Sequence, residues 1–464
     1  MDFESLKESA REQLCTKAPF EIAKDYAYRY IDSLASKRVY PDGEALAGLK
    51  AFDGPLPEGP ASPEEILGLL YRHGQAATVA ATGEKYFGFV NGSSFPAAVA
   101  ARWMGDVWDQ NAALYVMSPI AAKLEEVCES WIVELLGLPP GTAAGFVGGS
   151  STATFCALAA ARDALLLKQG WDARENGLFG APPIRVVLGE QAHSSVFKAL
   201  SLLGLGRGRV ETVPADSQGR MMADKVPKLD AGTLLIAQAG NVNSGAFDPM
   251  DRLCAMKNEA GAWMHVDGAF GLWAAASREK RRLTEGFENA DSWSADAHKT
   301  LNAPYDVGIV LVKDREALTG AMQAAGAYLQ LSSRRDNMMY VPDMSRRARG
   351  IELWATLKCL GKTGVGGLVD ALCANAVYFA QKLSESGFTI ANDVVFNQVL
   401  VKCRTAEETR ATLANIQESG ILWCGGTTWQ NEPAIRVSVC SWQTSRQAVD
   451  ACVDAFVQAR EAAI

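Results

Sequence analysis

The fold of this chain is indicated most clearly by Trp263-Met264-His265-Val266-Asp267-Gly268-Ala269-Phe270, an apolar strand that ends in one aspartate and small residues. Further apolar strands are predicted at 184–188, 208–213, 233–237 and 307–312, with helical stretches between several of them. This alternation predicts an α/β layer with a mostly parallel sheet. At the C-terminal end of a parallel strand, Asp267 points into the crevice where ligands bind. The common alternative is an aspartate that caps a turn.

The predicted secondary structure differs on both sides of this middle region. Residues 1–85 are predicted as an N-terminal helical segment, because 2–17 and 21–36 are amphipathic. Residues 86–345 form the predicted large domain. Residues 346–464 are predicted as a smaller C-terminal α+β domain, with helices near 348–362, 366–385, 406–418 and 445–461 around strands near 395–402 and 433–440.

Composition and charge argue against several classes of protein. The 464 residues carry a net charge of −8 and show no basic stripe, which disfavours a nucleic-acid partner. No stretch reads as apolar enough to span a bilayer, and the N-terminus lacks the pattern of a signal peptide. The ten cysteines form no Cys-x-x-Cys pair and there are four histidines, so no metal site is expected. Scattered cysteines in apolar context suggest a reducing compartment, and we expect a cytoplasmic protein.

A glycine-rich loop, Gly145-Phe146-Val147-Gly148-Gly149-Ser150-Ser151-Thr152, precedes a helical run. Small residues let the backbone approach an anion, and a helix start offers free N–H groups to a phosphate. Ser150 and Ser151 add hydroxyl donors. By itself this motif is more often a turn with an N-cap serine, and it lacks the ending of a Walker loop.

A second motif, Ser294-Ala295-Asp296-Ala297-His298-Lys299-Thr300-Leu301-Asn302, places a lysine among small and apolar neighbours. Most lysines lie on the surface, but a buried one becomes a usable amine nucleophile. His193 follows a predicted strand and offers a flat ring, although it could simply begin a helix. An anion cradle, a carboxylate, a lysine and a flat group are together what pyridoxal phosphate needs.

With these motifs in place, the sequence resembles the group II pyridoxal-phosphate-dependent amino-acid decarboxylases, which include aromatic-amino-acid, histidine, glutamate and diaminobutyrate decarboxylases. The resemblance implies an α/β, fold-type-I, aminotransferase-like architecture. It also implies a homodimer with the active site at the interface. It runs in the family's order from Lys85 to Arg349 and includes Ser118-Pro119, Gly148–Thr154, His193, Gly245-Ala246-Phe247-Asp248-Pro249, His265–Ala269 and His298-Lys299.

The resemblance also implies roles around the cofactor ring. Lys299 carries the cofactor as a Schiff base, and Asp267 pairs with the pyridine nitrogen. His193 stacks on one face of the ring, and Ala269 packs against the other.

Other positions are implied around the rest of the cofactor. Ser150, Ser151 and His298 are expected near the phosphate. Asn241 and Asn243 are expected on the loop that approaches the ring oxygen and Asp267.

Tyr328 lies in Gly326-Ala327-Tyr328-Leu329, which resembles the family's mobile catalytic loop. The resemblance implies that this tyrosine protonates the carbon that lost the carboxylate, and His193 is a candidate to assist it. The expected reaction is therefore decarboxylation of an L-amino acid to the amine and CO2. An aldehyde-forming oxidative decarboxylase, another carbon–carbon lyase and a catalytically silent cofactor binder are the alternatives.

Two positions depart from the family's pattern. Asp296 stands where relatives often have asparagine near the phosphate, so its charge should weaken phosphate binding unless it points away. Val242 stands where relatives often have threonine.

Substrate contacts are expected from Phe89, Asn91, Tyr115 and Ser345, although core packing explains the aromatic residues equally well. The segment Ser345-Arg346-Arg347 resembles the histidine, aromatic and diaminobutyrate branches, which favours a neutral, aromatic or basic amino acid.

Overall fold

The computed structural model describes residues 3–323 and 333–463. Its large domain is built on a seven-stranded sheet in the order β1-β7-β6-β5-β4-β2-β3. Strand β7 runs antiparallel to β1 and β6, and the remaining neighbours are parallel. The strands are β1 (Ala143–Val147), β2 (Arg185–Gly189), β3 (Glu211–Val213), β4 (Thr233–Gln238), β5 (Trp263–Asp267), β6 (Ser292–Asp296) and β7 (Gly308–Val312).

Helices cover both faces of this sheet, which is why most of its strands are buried along their whole length. The helices are α1 (Phe3–Thr16), α2 (Ala18–Ser33), α3 (Gly43–Gly48), α4 (Pro63–Leu69), α5 (Pro96–Trp108), α6 (Pro119–Leu136), α7 (Ser150–Lys168), α8 (Ala173–Asn176), α9 (Ser194–Leu202), α10 (Met250–Ala260), α11 (Arg315–Met322), α12 (Gly350–Glu385), α13 (Ala406–Ser419) and α14 (Arg446–Glu461). The alanine-rich helix α7 packs closely on the sheet because its small side chains allow the approach.

The C-terminal part contains a second, antiparallel sheet in the order β10-β11-β9-β8. Its strands are β8 (Thr389–Ile390), β9 (Gln398–Lys402), β10 (Gly425–Trp429) and β11 (Glu432–Ser438), and α12, α13 and α14 share its apolar core. Helix α12 is kinked at Gly361, where φ is 59°.

By length and composition, α12 could cross a membrane, which the sequence reading did not anticipate. Half of its apolar window is buried inside the protein, where it packs against α5, α6 and α14. Burial of this kind is typical of the core helix of a globular protein.

The mostly parallel sheet and the smaller α+β part confirm the predicted fold class. The prediction missed β1, β6, β8 and β10. Strand β6 carries serines that look unsuited to a core, but Ser292 Oγ bonds to Trp263 Nε1 and His265 Nδ1, both at 3.0 Å. The proposed boundaries after residues 85 and 345 stay predictions.

Candidate active site

A cavity of about 280 Å³ opens where β4 and β5 end. The C-terminal ends of parallel strands meet at one edge of a sheet, and connecting loops leave a crevice there. The second sheet closes part of the opening. The lining residues are Phe89, Val90, His193, Gln238, Gly240, Val242, Asn243, Asp267, Ala269, Phe270, Lys299, Thr427 and Arg436.

Lys299 enters this cavity from the turn that follows β6. Its Nζ lies 2.9 Å from Asp296 Oδ2, and its side chain is largely enclosed. Two contacts fix the backbone of the turn: Asn302 Nδ2 donates to the Lys299 carbonyl at 3.2 Å, and the Gly92 N–H donates to the His298 carbonyl at 3.2 Å. The lysine is therefore held on a rigid turn.

Asp267 ends β5 and is buried at the floor of the cavity. Burial raises the pKa of this carboxyl group, while the nearby His193 and Lys299 act to lower it. Ala269 N–H donates to Asp267 Oδ1 at 3.3 Å, the one hydrogen bond that this carboxylate receives within residues 3–323 and 333–463. The carboxylate therefore retains capacity for a cationic or protonated partner.

His193 faces the cavity at the start of α9, where it is the N-cap residue. The Ser195 N–H donates to Nδ1 at 3.3 Å, and the Ser195 hydroxyl lies 2.7 Å from the same nitrogen. Desolvation by the surrounding protein lowers the pKa of the imidazole. The residue therefore presents a flat, neutral ring.

The predicted phosphate loop forms the start of α7. Gly149 is the N-cap residue and provides no side-chain cap, and the Ser150 N–H donates instead to Asp296 Oδ1 at 2.5 Å. Among the described residues, no side chain or backbone group bonds to the hydroxyls of Ser150 and Ser151. His298 lies beside them, and burial lowers its pKa.

Asn241 and Asn243 take different places in the loop after β4. Asn243 lines the cavity, and its Oδ1 accepts a hydrogen bond from Thr427 Oγ1 at 2.8 Å. Asn241 is buried behind it and accepts hydrogen bonds from the N–H groups of Asn243 and Ser244.

The four residues predicted to contact the substrate do not lie together in the structure. Phe89 lines the cavity mouth and is 61% exposed. Asn91 accepts from the Tyr305 hydroxyl, the Tyr115 N–H donates to Asp336, and Ser345 pairs with Asn111. These three do not line the cavity of their own chain, and their role stays a prediction. Tyr328 lies outside the described residues.

Arg436 is a cavity residue that the sequence reading missed. It lies on β11, where its Nη1 donates to the Val242 carbonyl at 3.2 Å. Among the described residues, its Nε is buried without a hydrogen-bond partner, and no ion pair to an acidic side chain is formed. Burial lowers its pKa. One signal was available, since an arginine stands alone in the apolar run Ala434-Ile435-Arg436-Val437.

One family model and several known proteins match this chain. The family model described as "Pyridoxal-dependent decarboxylase conserved domain" matches residues 56–404. Acidic amino acid decarboxylase GADL1 of Mus musculus is 29% identical over 317 residues, which cover 65% of this chain and 57% of the relative. Aromatic-L-amino-acid decarboxylase of Bacillus atrophaeus is 26% identical over 333 residues, covering 68% of this chain and 66% of the relative. The chain thus spans less than two thirds of the length of either relative.

Solved structures show the same architecture. A TDC from Oryza sativa, solved with PLP and tryptamine, superimposes with a TM-score of 0.88 and 21% identity. The match covers 96% of this chain and 98% of that one. This likeness establishes a shared fold.

Proposed function

The chain belongs to the pyridoxal-dependent decarboxylase family, and from that premise we propose that it uses pyridoxal 5'-phosphate to convert an L-amino acid into an amine and CO2. One observation carries the proposal: Lys299, Asp267 and His193 surround a single cavity of about 280 Å³. An amine, a buried carboxylate and a flat neutral ring have no common structural role there. Together they match the aldehyde, the ring nitrogen and the ring face of this cofactor.

The residues present fit the cofactor. Asp267 receives one hydrogen bond within the described parts of the chain, so its second oxygen is available to a protonated ring nitrogen. The hydroxyls of Ser150 and Ser151 lack partners there and suit a phosphate at the start of α7. When bound, pyridoxal phosphate supplies an aldehyde that captures amines and a ring that accepts the electron pair left by the departing carboxyl group.

The chain's own groups would position and tune this chemistry. Lys299 would hold the cofactor through its Nζ until the substrate amine takes that place. Asp267 keeps a proton on the ring nitrogen, and the buried setting strengthens this charge pairing. His193 lines the same cavity, where it would pack its ring on the cofactor and assist the proton transfer. We propose Tyr328 as the group that protonates the substrate carbon.

Arg436 would hold the substrate's carboxylate. Its guanidinium lines the cavity without an acidic partner in the described ranges, and a buried cation of this kind is stabilised by an incoming anion. Fixing the carboxylate would also fix the orientation of the substrate, and orientation decides which of its bonds can react.

The cavity lining favours a neutral or aromatic substrate side chain. Phe89, Val90 and Phe270 contribute apolar surface. Asp267 is the one acidic residue among the described lining residues, and the cofactor ring would engage it. A basic side chain would therefore lack a counter-charge.

A homodimer is supported by exposed apolar surface on the N-terminal helices. Helices α1 and α2 bury no residue, and Phe3, Phe20 and Ile31 are each at least half exposed. Tyr28 on α2 stacks near Trp103 on α5 with a centroid distance of 6.3 Å, which extends the same surface. Large exposed apolar patches usually mark interfaces.

A cytoplasmic location is supported by the cysteines. All ten lie in the described parts of the chain, and none forms a disulfide.

The test is a screen of cofactor-loaded protein against the twenty amino acids plus diaminobutyrate, ornithine and cysteine sulfinate, following CO2, amine, aldehyde and peroxide. We expect CO2 and amine in equal amounts from one substrate. Lys299→Ala should abolish both turnover and the absorbance of lysine-bound cofactor, whereas the exposed Lys313→Ala should retain both. Aldehyde with peroxide would favour the oxidative alternative. Lysine-bound absorbance that survives in Lys299→Ala would refute the assignment.

A further inference from the structure

Asp296 is a buried carboxylate that joins the two ends of the cofactor site. It is the last residue of β6 and is 1% exposed. Its Oδ1 accepts the Ser150 N–H at 2.5 Å, and its Oδ2 lies 2.9 Å from Lys299 Nζ. One side chain therefore contacts both the start of α7 and the lysine.

The start of α7 is already occupied by this negative charge. A helix N-terminus favours an anion, and Gly149 leaves the cap position open for one. Asp296 takes this position from another strand. Burial lowers the pKa of His298, which disfavours a positive charge on its ring, and its Nε2 lies 3.7 Å from Asp296 Oδ1. A cofactor phosphate must bind beside this carboxylate.

Building on the proposed function, we infer that Asp296 is a positioning residue, which holds the Lys299 amine in the cofactor-free enzyme and opposes the phosphate of the incoming cofactor. The amine that neutralises Asp296 is the same group that must turn toward the cofactor's aldehyde. The carboxylate would then lie near the phosphate without its ion-pair partner. Two negative groups in a poorly solvated site repel strongly.

This arrangement predicts that the phosphate contributes less to cofactor affinity here than it would beside a neutral residue. Asparagine at position 296 keeps an oxygen for the Ser150 N–H. It also replaces the charge with an amide that can donate to a phosphate.

The test compares two aldehydes that differ in the phosphate, pyridoxal phosphate and pyridoxal. Cofactor-free wild type and Asp296→Asn are titrated with each, and dissociation constants are read from the absorbance of the lysine-bound form. We expect the ratio of the pyridoxal constant to the pyridoxal phosphate constant to rise about tenfold or more in Asp296→Asn. Loss of a purely structural carboxylate would weaken both ligands and leave this ratio unchanged.

Asp267→Asn is the matched control, because this carboxylate lies at the ring end and should affect both aldehydes alike. A ratio that is unchanged or lower in Asp296→Asn would overturn the inference, while lysine-bound absorbance in wild type would leave the proposed function standing. Absence of that absorbance in wild type with either aldehyde would reject both. If Asp296→Asn does not fold, as judged by circular dichroism, Asp296→Ser removes the same charge. The ratio of the two dissociation constants in that variant then tests the inference.

Discussion

At the scale of single residues, Arg436 shows the sharpest conflict between charge and burial. Among the described residues its Nε is buried without a partner, and its Nη1 donates to the Val242 carbonyl at 3.2 Å. An uncompensated buried cation destabilises a fold unless something else pairs with it. A substrate carboxylate in the adjoining cavity would supply the missing charge.

Arg436→Gln should therefore weaken substrate binding and leave cofactor binding nearly intact. A hydrogen bond between charged groups contributes about 1.5–3 kcal/mol, so we expect KM to rise about 10- to 100-fold. Steady-state kinetics and cofactor titration measure the two effects separately. Arg410→Gln is the control, because Arg410 is exposed on α13. An unchanged KM would show that Arg436 does not bind the substrate.

At the scale of elements, the segment 85–92 connects the second sheet to the lysine turn. Its Phe87 N–H donates to the Trp423 carbonyl at 2.8 Å, and the rings of Tyr86 and Trp423 stack at 5.4 Å. Further along, a Cβ on Gly92 would lie 2.1 Å from the Lys299 carbonyl oxygen. The close approach at Gly92 fixes how this segment meets the lysine.

Gly92→Ala should force the Lys299 turn to move, because the obstructing atom is backbone rather than a flexible side chain. Overpacking of this kind costs about 1–3 kcal/mol, so we expect a lower denaturation midpoint and weaker cofactor binding together.

Gly367→Ala is the control for Gly92→Ala, because there the added methyl group meets no neighbouring atom. It lies on an exposed part of α12 with no atom within 4 Å of the added carbon, so it should stabilise the protein by about 0.5–1 kcal/mol. A Gly92→Ala protein as stable and as cofactor-competent as wild type would contradict the tight contact.

At the scale of the whole molecule, the cavity is shared between the two sheets and stays open on one side. The first sheet supplies Asp267, and the second supplies Thr427 and Arg436. Tyr115 lies away from this cavity, next to Val116 and Met117, which are 61% and 51% exposed. In the proposed dimer, this exposed segment would serve the cavity of the partner.

Mixed dimers test that arrangement. Lys299→Ala and Tyr115→Ala should each be strongly impaired alone. When the two are reassembled together, about a quarter of wild-type activity should return, because half of the dimers are mixed and each has one intact site.

Lys299→Ala mixed with Asp267→Asn should not recover, since both residues lie in the cavity of one chain. Light scattering reports the assembly state in parallel. A monomer, or a Tyr115→Ala mixture that stays inactive, would contradict a shared site.

The fold class could be predicted from the sequence, and so could candidate site residues that stand within short motifs. Asp267 was identifiable because it ends a predicted apolar strand, and Lys299 because it stands among small and apolar residues between predicted strands. Apolar strands and amphipathic helices likewise leave a local periodicity. Such features depend on neighbours along the chain, so they can be read without coordinates.

Tertiary structure alone decided which distant groups meet. Arg436 reaches a cavity built mostly of residues more than 130 positions earlier, and Asp296 turns its carboxylate toward Ser150, 146 positions away. Tyr115 and Ser345, both predicted as substrate contacts, lie outside the lining of this cavity. Long-range packing sets these directions, because the free energy of burying a charge depends on the groups that surround it in space.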